Sequence, residues 1–261
     1  MTGFLAAVTP LLITYNEIDN LARTLAGLRW ARRIVVMDSG STDGTLDLLA
    51  ADPRIVVLHR KFDDFARQCQ AGLAAIDTPW VLSMDADYRI PDPLAAEIDA
   101  LSPADAVAGF QIGFRWSVHG QLLRGALYPP RVMLHRVEGA RYYMLGHGHR
   151  VAVDGRVEAL RHWAIHDDRK SLARWLASQD KYATQEAATL QVAPWASLRW
   201  QAKARRLMFV TPWLVPLYCL TVQRGLLDGK AGWHYALQRG IAEAIIALKL
   251  VERRLGLTPP D

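Results

Sequence analysis

Residues 8–45 read VTPLLITYNEIDNLARTLAGLRWARRIVVMDSGSTDGT, and their alternation decides the fold class. Residues 8–14 are an apolar run short enough for a buried strand. Asn16 is placed to cap a helix in which Ile18, Leu21, Leu25 and Leu28 recur at helical spacing. Residues 33–37 (RIVVM) form the next strand and run into DSGSTDGT, a polar, glycine-bearing turn. The same alternation continues outward, with helices over 45–51 and 64–76 and strands over 54–58 and 80–84, the last ending at Asp85. Strands apolar on both faces that alternate with helices imply an α/β fold, a mostly parallel sheet flanked by helices. In such sheets ligands bind beyond the carboxyl ends of the strands, and TYNE, DSGSTD and DAD all fall on that rim.

Beyond residue 102 the pattern is mixed, with short strands and the loop HGQLLRGALYPPRV up to about residue 160. A helix returns over 169–190, with Leu172, Trp175, Leu176, Tyr182 and Leu190 on its apolar face. Residues 207–222 are apolar for sixteen positions but contain Pro212 and Pro216. A bilayer-spanning helix needs about 20 apolar residues, so a kinked, interfacial or re-entrant helix fits better. A last, partly amphipathic helix covers 233–251. The domain organisation expected is 1–190 for the α/β domain and 191–261 for a basic, apolar helical region that associates with membrane.

With 261 residues, 51% of them hydrophobic, the chain can bury a substantial core and is not disordered. Cys69 and Cys219 lie far apart and lack metal spacing, which suits a reducing compartment. The opening MTGFLAAVTPLLITYNE lacks a basic n-region and runs into a motif the fold needs, so it is not read as a signal peptide. The net charge of +5 is unevenly spread. Between Glu186 and Glu243 the only acid is Asp228, against Arg199, Lys203, Arg205, Arg206, Arg224, Lys230 and Arg239. This asymmetry suggests a polyanionic partner. Trp195, Trp200, Trp213, Trp233, Tyr218 and Tyr235 lie beside those cations and favour an anionic membrane surface over nucleic acid. Core packing and an oligomer interface are the alternative uses of 207–222.

Three clusters carry chemistry. Asp38 ends a strand and can accept a hydrogen bond from a base N–H or a ribose hydroxyl; alternatively it only makes the turn and caps the next helix. Asp85-Ala86-Asp87 places two carboxylates beyond a strand end, ligands that hard cations such as Mg²⁺ and Mn²⁺ favour. His166, in AIHDDRK, either completes a metal shell or simply starts the following helix, with Asp167 or Asp168 as cap.

With those clusters in order, the chain resembles a family 2 glycosyltransferase of the GT-A fold. The matching pieces are ITYNE (13–17), VVMDSGSTDGT (35–45), FARQCQAGL (65–73), VLSMDAD (81–87) and HDDRKSLARWLASQDKYATQEA (166–187). The nearer resemblance is to the branch holding lipopolysaccharide inner-core β-glucosyltransferases and related envelope-polysaccharide enzymes. By position, the resemblance implies that Tyr15, Asn16, Glu17, Asp38, Arg67, Gln68 and Asp85 bind the nucleotide-sugar. It implies that Asp87, Asp85 and His166 hold a divalent cation, Mn²⁺ or Mg²⁺. Three positions depart from the pattern: Tyr88 where Glu often stands, Gln70 where Asn is frequent, and Leu145-Gly146-His147-Gly148-His149 where relatives carry an acidic acceptor loop.

The implied reaction is an inverting, metal-dependent transfer of a hexose from a UDP-sugar to a lipid-linked saccharide in envelope polysaccharide or lipopolysaccharide core synthesis. His147 and Asp168, then Asp167, are the candidates for the base that takes the acceptor's proton, and His166 or Arg169 assists the leaving diphosphate. The location implied is the cytoplasmic face of the inner membrane, peripheral or monotopic. Rival readings are a polyprenyl-phosphate sugar transferase, a non-catalytic nucleotide-sugar-binding protein, and a nucleic-acid binder, the last without motif support.

Overall fold

In a computed structural model of the chain, described over residues 3–146 and 148–257, the elements run in this order. They are β1 (Val8–Thr14), α1 (Ile18–Ala26), β2 (Ile34–Asp38), α2 (Thr45–Ala50), β3 (Ile55–His59), α3 (Phe65–Leu73), β4 (Trp80–Asp85), β5 (Tyr88–Arg89) and α4 (Asp92–Asp99). There follow β6 (Val107–Val118), β7 (Gln121–Leu122), β8 (Arg131–Arg136), β9 (Arg141–Leu145), β10 (Gly148–Ala152), β11 (Arg156–His166), α5 (Leu172–Val192), α6 (Trp200–Arg206), α7 (Thr211–Leu220) and α8 (Gly229–Arg254). The chain divides into two compact units: Met1–Ser117 with Tyr128–Arg169, and Val118–Leu127 with Lys170–Asp261.

The first unit is the expected α/β sheet. Its strands follow the order β3-β2-β1-β4-β8-β6-β11-β5, with β3, β2, β1 and β4 all parallel. Neighbouring residues of one strand serve opposite cores, as a pleat with period two requires. Leu12, Val36 and Leu82 pack with Leu21, Leu25 and Leu28 of the α1 side. Leu11, Val35 and Val81 pack with Leu73 of α3 on the other face. Each fully buried Leu or Val contributes roughly 1.5–3 kcal/mol. Gly72 lets α3 close onto β1, because a Cβ there would lie 2.5 Å from Leu11 Cδ1.

The start of α1 differs from the expected Asn16 cap. Asn16 sits in a left-handed conformation at φ 55° and spends its side chain on the next turn, accepting from Thr42 N at 2.7 Å. The helix amide of Ile18 instead donates to Asp43 Oδ2 at 3.2 Å, and Glu17 N donates to Thr45 Oγ1 at 2.8 Å. The turn after β2 therefore caps the helix after β1, and the two rim loops form one hydrogen-bonded body.

Topology then forces the sheet to curl. β4 ends at Asp85 and β5 begins at Tyr88, yet four strand-to-strand steps separate them along the sheet. Laid flat, they would lie roughly 19 Å apart at about 4.8 Å per strand. Three peptide steps reach at most about 11 Å. The sheet bends back until β11 pairs with β5, bringing His166 opposite Tyr88. Register shifts between β6 and β11, where residues 160–162 leave the pairing, give the bending its local cause. The stretch 102–160 was expected as short strands; β6 and β11 are in fact long, because a curled sheet gives their outer residues partial exposure and blurs the alternation.

In the second unit, α5 buries Ala183, Ala187 and Leu190 against Ile246 and Leu250 of α8 and Met208. Arg205 ties the helices together, donating to Glu243 at 2.7–3.1 Å and to Glu186 at 3.0 Å. Asp228 is buried and accepts from Arg124 N and Nη1 at 3.0 and 2.7 Å. The apolar stretch 207–222 yields only the ten-residue α7, which carries Pro216 inside it and follows Met208 at φ 65°. Gly240 of α8 accommodates Pro216, since a Cβ there would meet the ring Cγ at 3.2 Å. Phe209, Trp213, Leu214 and Leu217 stay exposed. Among the described residues no helix is long and apolar enough to cross a membrane.

Candidate active site

The carboxyl edge of the first unit's sheet holds two acidic turns, and they are built differently. In the first, Asp38 is fully buried at the end of β2, paired in register with Thr14 of β1. Its Oδ1 accepts from Thr14 Oγ1 at 3.1 Å and Ser41 Oγ at 2.5 Å; its Oδ2 accepts from the amides of Gly40 and Ser41 at 2.8 and 3.0 Å. Burial alone would raise this carboxyl, but the Ser41 hydroxyl, the two amides and Thr14 outweigh it and hold Asp38 below the ordinary carboxylate range. Gln68, also buried, braces the same turn by donating to Ser39 Oγ and to Arg60 O, both at 2.9 Å. Asn16 N donates to Ser41 Oγ at 2.8 Å. Asp38, Gln68 and Asn16 are thus brought together. Tyr15 lies at the surface, 56% exposed, and Arg67 points to solvent, paired with Asp63 and Asp64 at 3.3 and 3.4 Å.

The second turn follows β4. Asp85 pairs in register with Ile13, and Asp87 lies two residues on, 9% exposed. Asp87 Oδ2 is 3.7 Å from His166 Nε2, so the curl unites residues 79 positions apart in sequence. The His166 ring stacks on Trp116, with centroids 4.0 Å apart and planes 10° from parallel, and Tyr88 and Tyr128 stand at 5.4 and 5.1 Å. Its Nδ1 is buried without a hydrogen-bond partner among the described residues. Tyr88, the departure after DAD, is buried and meets the Tyr128 hydroxyl at 2.5 Å. Burial and the neighbouring Asp85 push the Tyr88 phenol well above its usual range, so it stays neutral.

The HDD segment is anchored by cations. Asp167, 1% exposed, accepts from Arg23 at 3.1 Å and lies 3.4 Å from both Arg89 and Arg169. Burial would raise its carboxyl; the Ser117 hydroxyl, Arg169 and Arg23 prevail and hold it low. Asp167, so saturated, is unsuited to take a proton. Buried Asn20 donates to Glu17 Oε2 and Asp168 Oδ1 at 2.9 and 3.2 Å and accepts from the Arg169 amide at 2.9 Å, which locks Glu17 and Asp168 to α1. His147 lies outside the described residues. His149, two positions on, shares a cavity of about 220 Å³ with Asp85, Tyr88 and Arg131. Gln70 accepts the Tyr142 amide at 3.0 Å and so fastens α3 to the wall of that cavity.

Among the described residues no group of three or more His, Cys, Asp or Glu encloses a metal-sized site. A Mg²⁺-like ion is commonly held by one or two carboxylates, with phosphate oxygens and waters completing the shell. Asp87 Oδ2 and the His166 Nε2 that faces it at 3.7 Å are donor types that fit such an open half-shell. Sequence reasoning missed Trp116, Tyr128, Arg131 and His149 around the carboxylates, and Asn20 and Arg23 beneath them. Asn20 had a signal: it is a polar residue beside Leu21 and Thr24 on the inward side of an amphipathic helix.

Residues 11–140 match the profile described as Glycosyl transferase family 2. Over 109 residues the chain is 30% identical to the lipopolysaccharide core biosynthesis glycosyltransferase LpsC of Rhizobium meliloti, covering 40% of each chain. Over 150 residues it is 32% identical to the undecaprenyl-phosphate mannosyltransferase of Micrococcus luteus, covering 49% of this chain and 60% of that one. The chain therefore spans 40% and 60% of the lengths of these two curated relatives. Among solved structures, the chain is similar to glucosyl-3-phosphoglycerate synthase from Mycobacterium tuberculosis in complex with Mn²⁺, UDP and glucosyl-3-phosphoglycerate. There the TM-score is 0.47 at 16% identity, over 74% of this chain and 84% of that one. It is also similar to S. aureus TarS 1-349 in complex with UDP-GlcNAc, with TM-score 0.46 and 13% identity over 95% and 92%.

Proposed function

The chain carries a domain of glycosyl transferase family 2, and from that premise we propose that it transfers a hexose from a UDP-sugar to a lipid-linked saccharide with inversion. The observation that carries this reading is the convergence of Asp85, Asp87 and His166 at the closing edge of the curled sheet. Asp87 and His166, with Asp85 beside them, would hold Mn²⁺ or Mg²⁺. That ion, when bound, supplies the positive charge that neutralises a departing diphosphate. The rest falls to the chain's own side chains. The body formed by Asn16, Asp38, Ser41 and Gln68 presents a rigid wall for the nucleoside, with Tyr15, Glu17 and Arg67 around it. Trp116 fixes the His166 ring. The acceptor's proton goes to a base drawn from His147 and Asp168, which the sequence nominates, and His149, which lines the cavity next to Asp85.

We assign the exposed apolar surface of α7, with Trp213 79% exposed, to contact with an anionic membrane surface on the cytoplasmic side, where a lipid-borne acceptor resides. Co-sedimentation with phosphatidylglycerol vesicles, reduced in Trp213→Glu, is the expected result; equal pelleting of both proteins removes this part. A second reading, a polyprenyl phosphate as acceptor, is favoured by the 32% identity with the undecaprenyl-phosphate mannosyltransferase. Incubation with UDP-glucose, UDP-galactose and UDP-N-acetylglucosamine, with and without Mn²⁺, tests the donor side. Lipid-extract and polyprenyl-phosphate acceptors in parallel separate the two readings. Metal-dependent UDP release is expected; release that ignores both metal and Asp87→Ala overturns the assignment.

A further inference from the structure

The cavity beside Asp85 carries charge that the transfer chemistry above leaves unused. It is about 220 Å³, with Asp85, Gln111, Arg131, Tyr143, His149 and Arg150 among the residues around it. Arg131, at the start of β8, is largely buried, its side chain 17% exposed. Its guanidinium lies over the Tyr128 ring at 5.0 Å and donates to the Tyr88 hydroxyl at 3.4 Å, so it is held in place before any ligand arrives. Its Nε is buried with no hydrogen-bond partner among the described residues. Arg150, on β10, is fixed by donating to its neighbour's carbonyl, His149 O, at 2.7 Å.

The two guanidiniums converge. A Cβ built on Gly148 would lie 3.7 Å from Arg131 Nη2 and 3.8 Å from Arg150 Nη1, so both border the same point beside the hairpin of β9 and β10. Asp85 Oδ2, 3.9 Å from Arg131 Nη1, balances one of the two cations. The other has no carboxylate partner among the described residues around the cavity. Desolvation and the charge of Arg131 both act against protonated Arg150. Two fixed like charges around a void in a low-dielectric wall are unfavourable until an anion enters between them, and paired guanidiniums match the planar oxygens of carboxylate or phosphate.

Position separates this pocket from the nucleotide wall. Along the sheet the order is β2, β1, β4, β8: the Asp38 turn follows β2, Asp85 ends β4, and the cavity is built on β4 and β8. A ligand in it therefore lies across Asp85 from the nucleotide wall. We propose that Arg131 and Arg150 form an anion subsite for the acceptor, which carries a carboxylate or phosphate close to the hydroxyl that receives the sugar. This deepens the transferase reading and rests on it.

The test uses the whole protein saturated with UDP and Mn²⁺, with UDP affinity measured separately. Binding of glucuronate is compared with glucose, and of geranyl phosphate with geraniol, by ligand-observed NMR. These pairs distinguish an acidic sugar from a lipid phosphate as the source of the anion. At least one acid is expected to bind about tenfold or more tightly than its neutral partner. Arg150→Met abolishes that preference, Arg150→Lys restores part of it, and UDP affinity stays within about twofold of wild type. Arg150 is the variant of choice because Arg131 is buried and its loss endangers folding. Acids that bind no better than their neutral partners overturn the subsite. So does an Arg150→Met protein that loses UDP affinity as steeply as acid affinity, since the pair would then serve the donor's diphosphate. Absence of UDP binding to wild type fails the donor reading instead and is read from its own titration.

Discussion

The two acidic turns on one sheet edge are opposites in how their polar atoms are used. Around Asp38 both carboxylate oxygens are matched inside the protein: Thr14, Gly40 and Ser41 satisfy them, and Asn16, Asp43 and Thr45 link the turn to α1. Asp87 faces His166 across 3.7 Å and Asp85 faces Arg131 across 3.9 Å, and His166 Nδ1 and Arg131 Nε are buried without hydrogen bonds among the described residues. Buried polar groups left short of partners are costly and are tolerated where a ligand completes them. The comparison separates a turn whose carboxylate is matched within the fold from one that leaves buried polar atoms beside the proposed reaction centre, although both read as Asp-rich loops after a strand.

Substitutions at four positions bear on that division. The largest effect is expected at Asp87→Ala, where UDP release from the preferred UDP-sugar falls about 10²–10³-fold while thermal unfolding barely moves. A large loss of stability with modest loss of turnover would reverse the roles of the two turns. Asp38→Asn is expected to act the other way, costing about 1–3 kcal/mol because the amide cannot accept all four donors. The Asp38 pKa is depressed in the folded state. Its contribution is therefore full above the ordinary carboxylate value and is lost as pH falls through the lower folded value. The acid limb of a melting-temperature profile should flatten in the variant; an unchanged limb removes the scaffold role. Trp116→Leu frees the His166 ring and should lower kcat about tenfold with KM for the donor little changed, whereas Trp116→Phe keeps most of the rate. Tyr88→Phe removes the hydroxyl that meets Tyr128 and accepts from Arg131 Nη1, and should cost about 1 kcal/mol of stability. Turnover should stay within a few-fold, which would mark Tyr88 as support.

Much of the first unit was legible because strands buried on both faces write unbroken apolar runs. The expected strand at 8–14 coincides with β1, and those at 33–37, 54–58 and 80–84 fall within one residue of β2, β3 and β4. Asp85, Asp87 and His166 were legible as separate motifs, but not their neighbours. Trp116 and Arg131 lie on strands whose pairing depends on the curl, and no local period announces which β6 residue will stack on His166. The cap of α1 was misread for a similar reason. Asn16 has the right chemistry at the right place, but Asp43, 25 residues beyond Ile18, wins that helix amide because the two rim loops lock together. Of the histidines in LGHGHR, His149 lines the Asp85 cavity, and sequence spacing carries no sign of that.

The return of the sheet onto β5 has a consequence for the order of assembly. The pairings among β1, β2, β3 and β4 all lie within the chain up to Asp85, whereas the His166–Tyr88 pairing must wait until β6, β8 and β11 are in register. A pairing that closes only after three intervening strands are placed forms late, because their chain closure precedes its reward. The carboxylates and the imidazole meet at the last seam to shut, so a partly folded chain would own the proposed nucleotide wall before the proposed catalytic cluster exists. Native-state hydrogen exchange should find the amides of β11 and β5 opening together, and before those of β1 and β2.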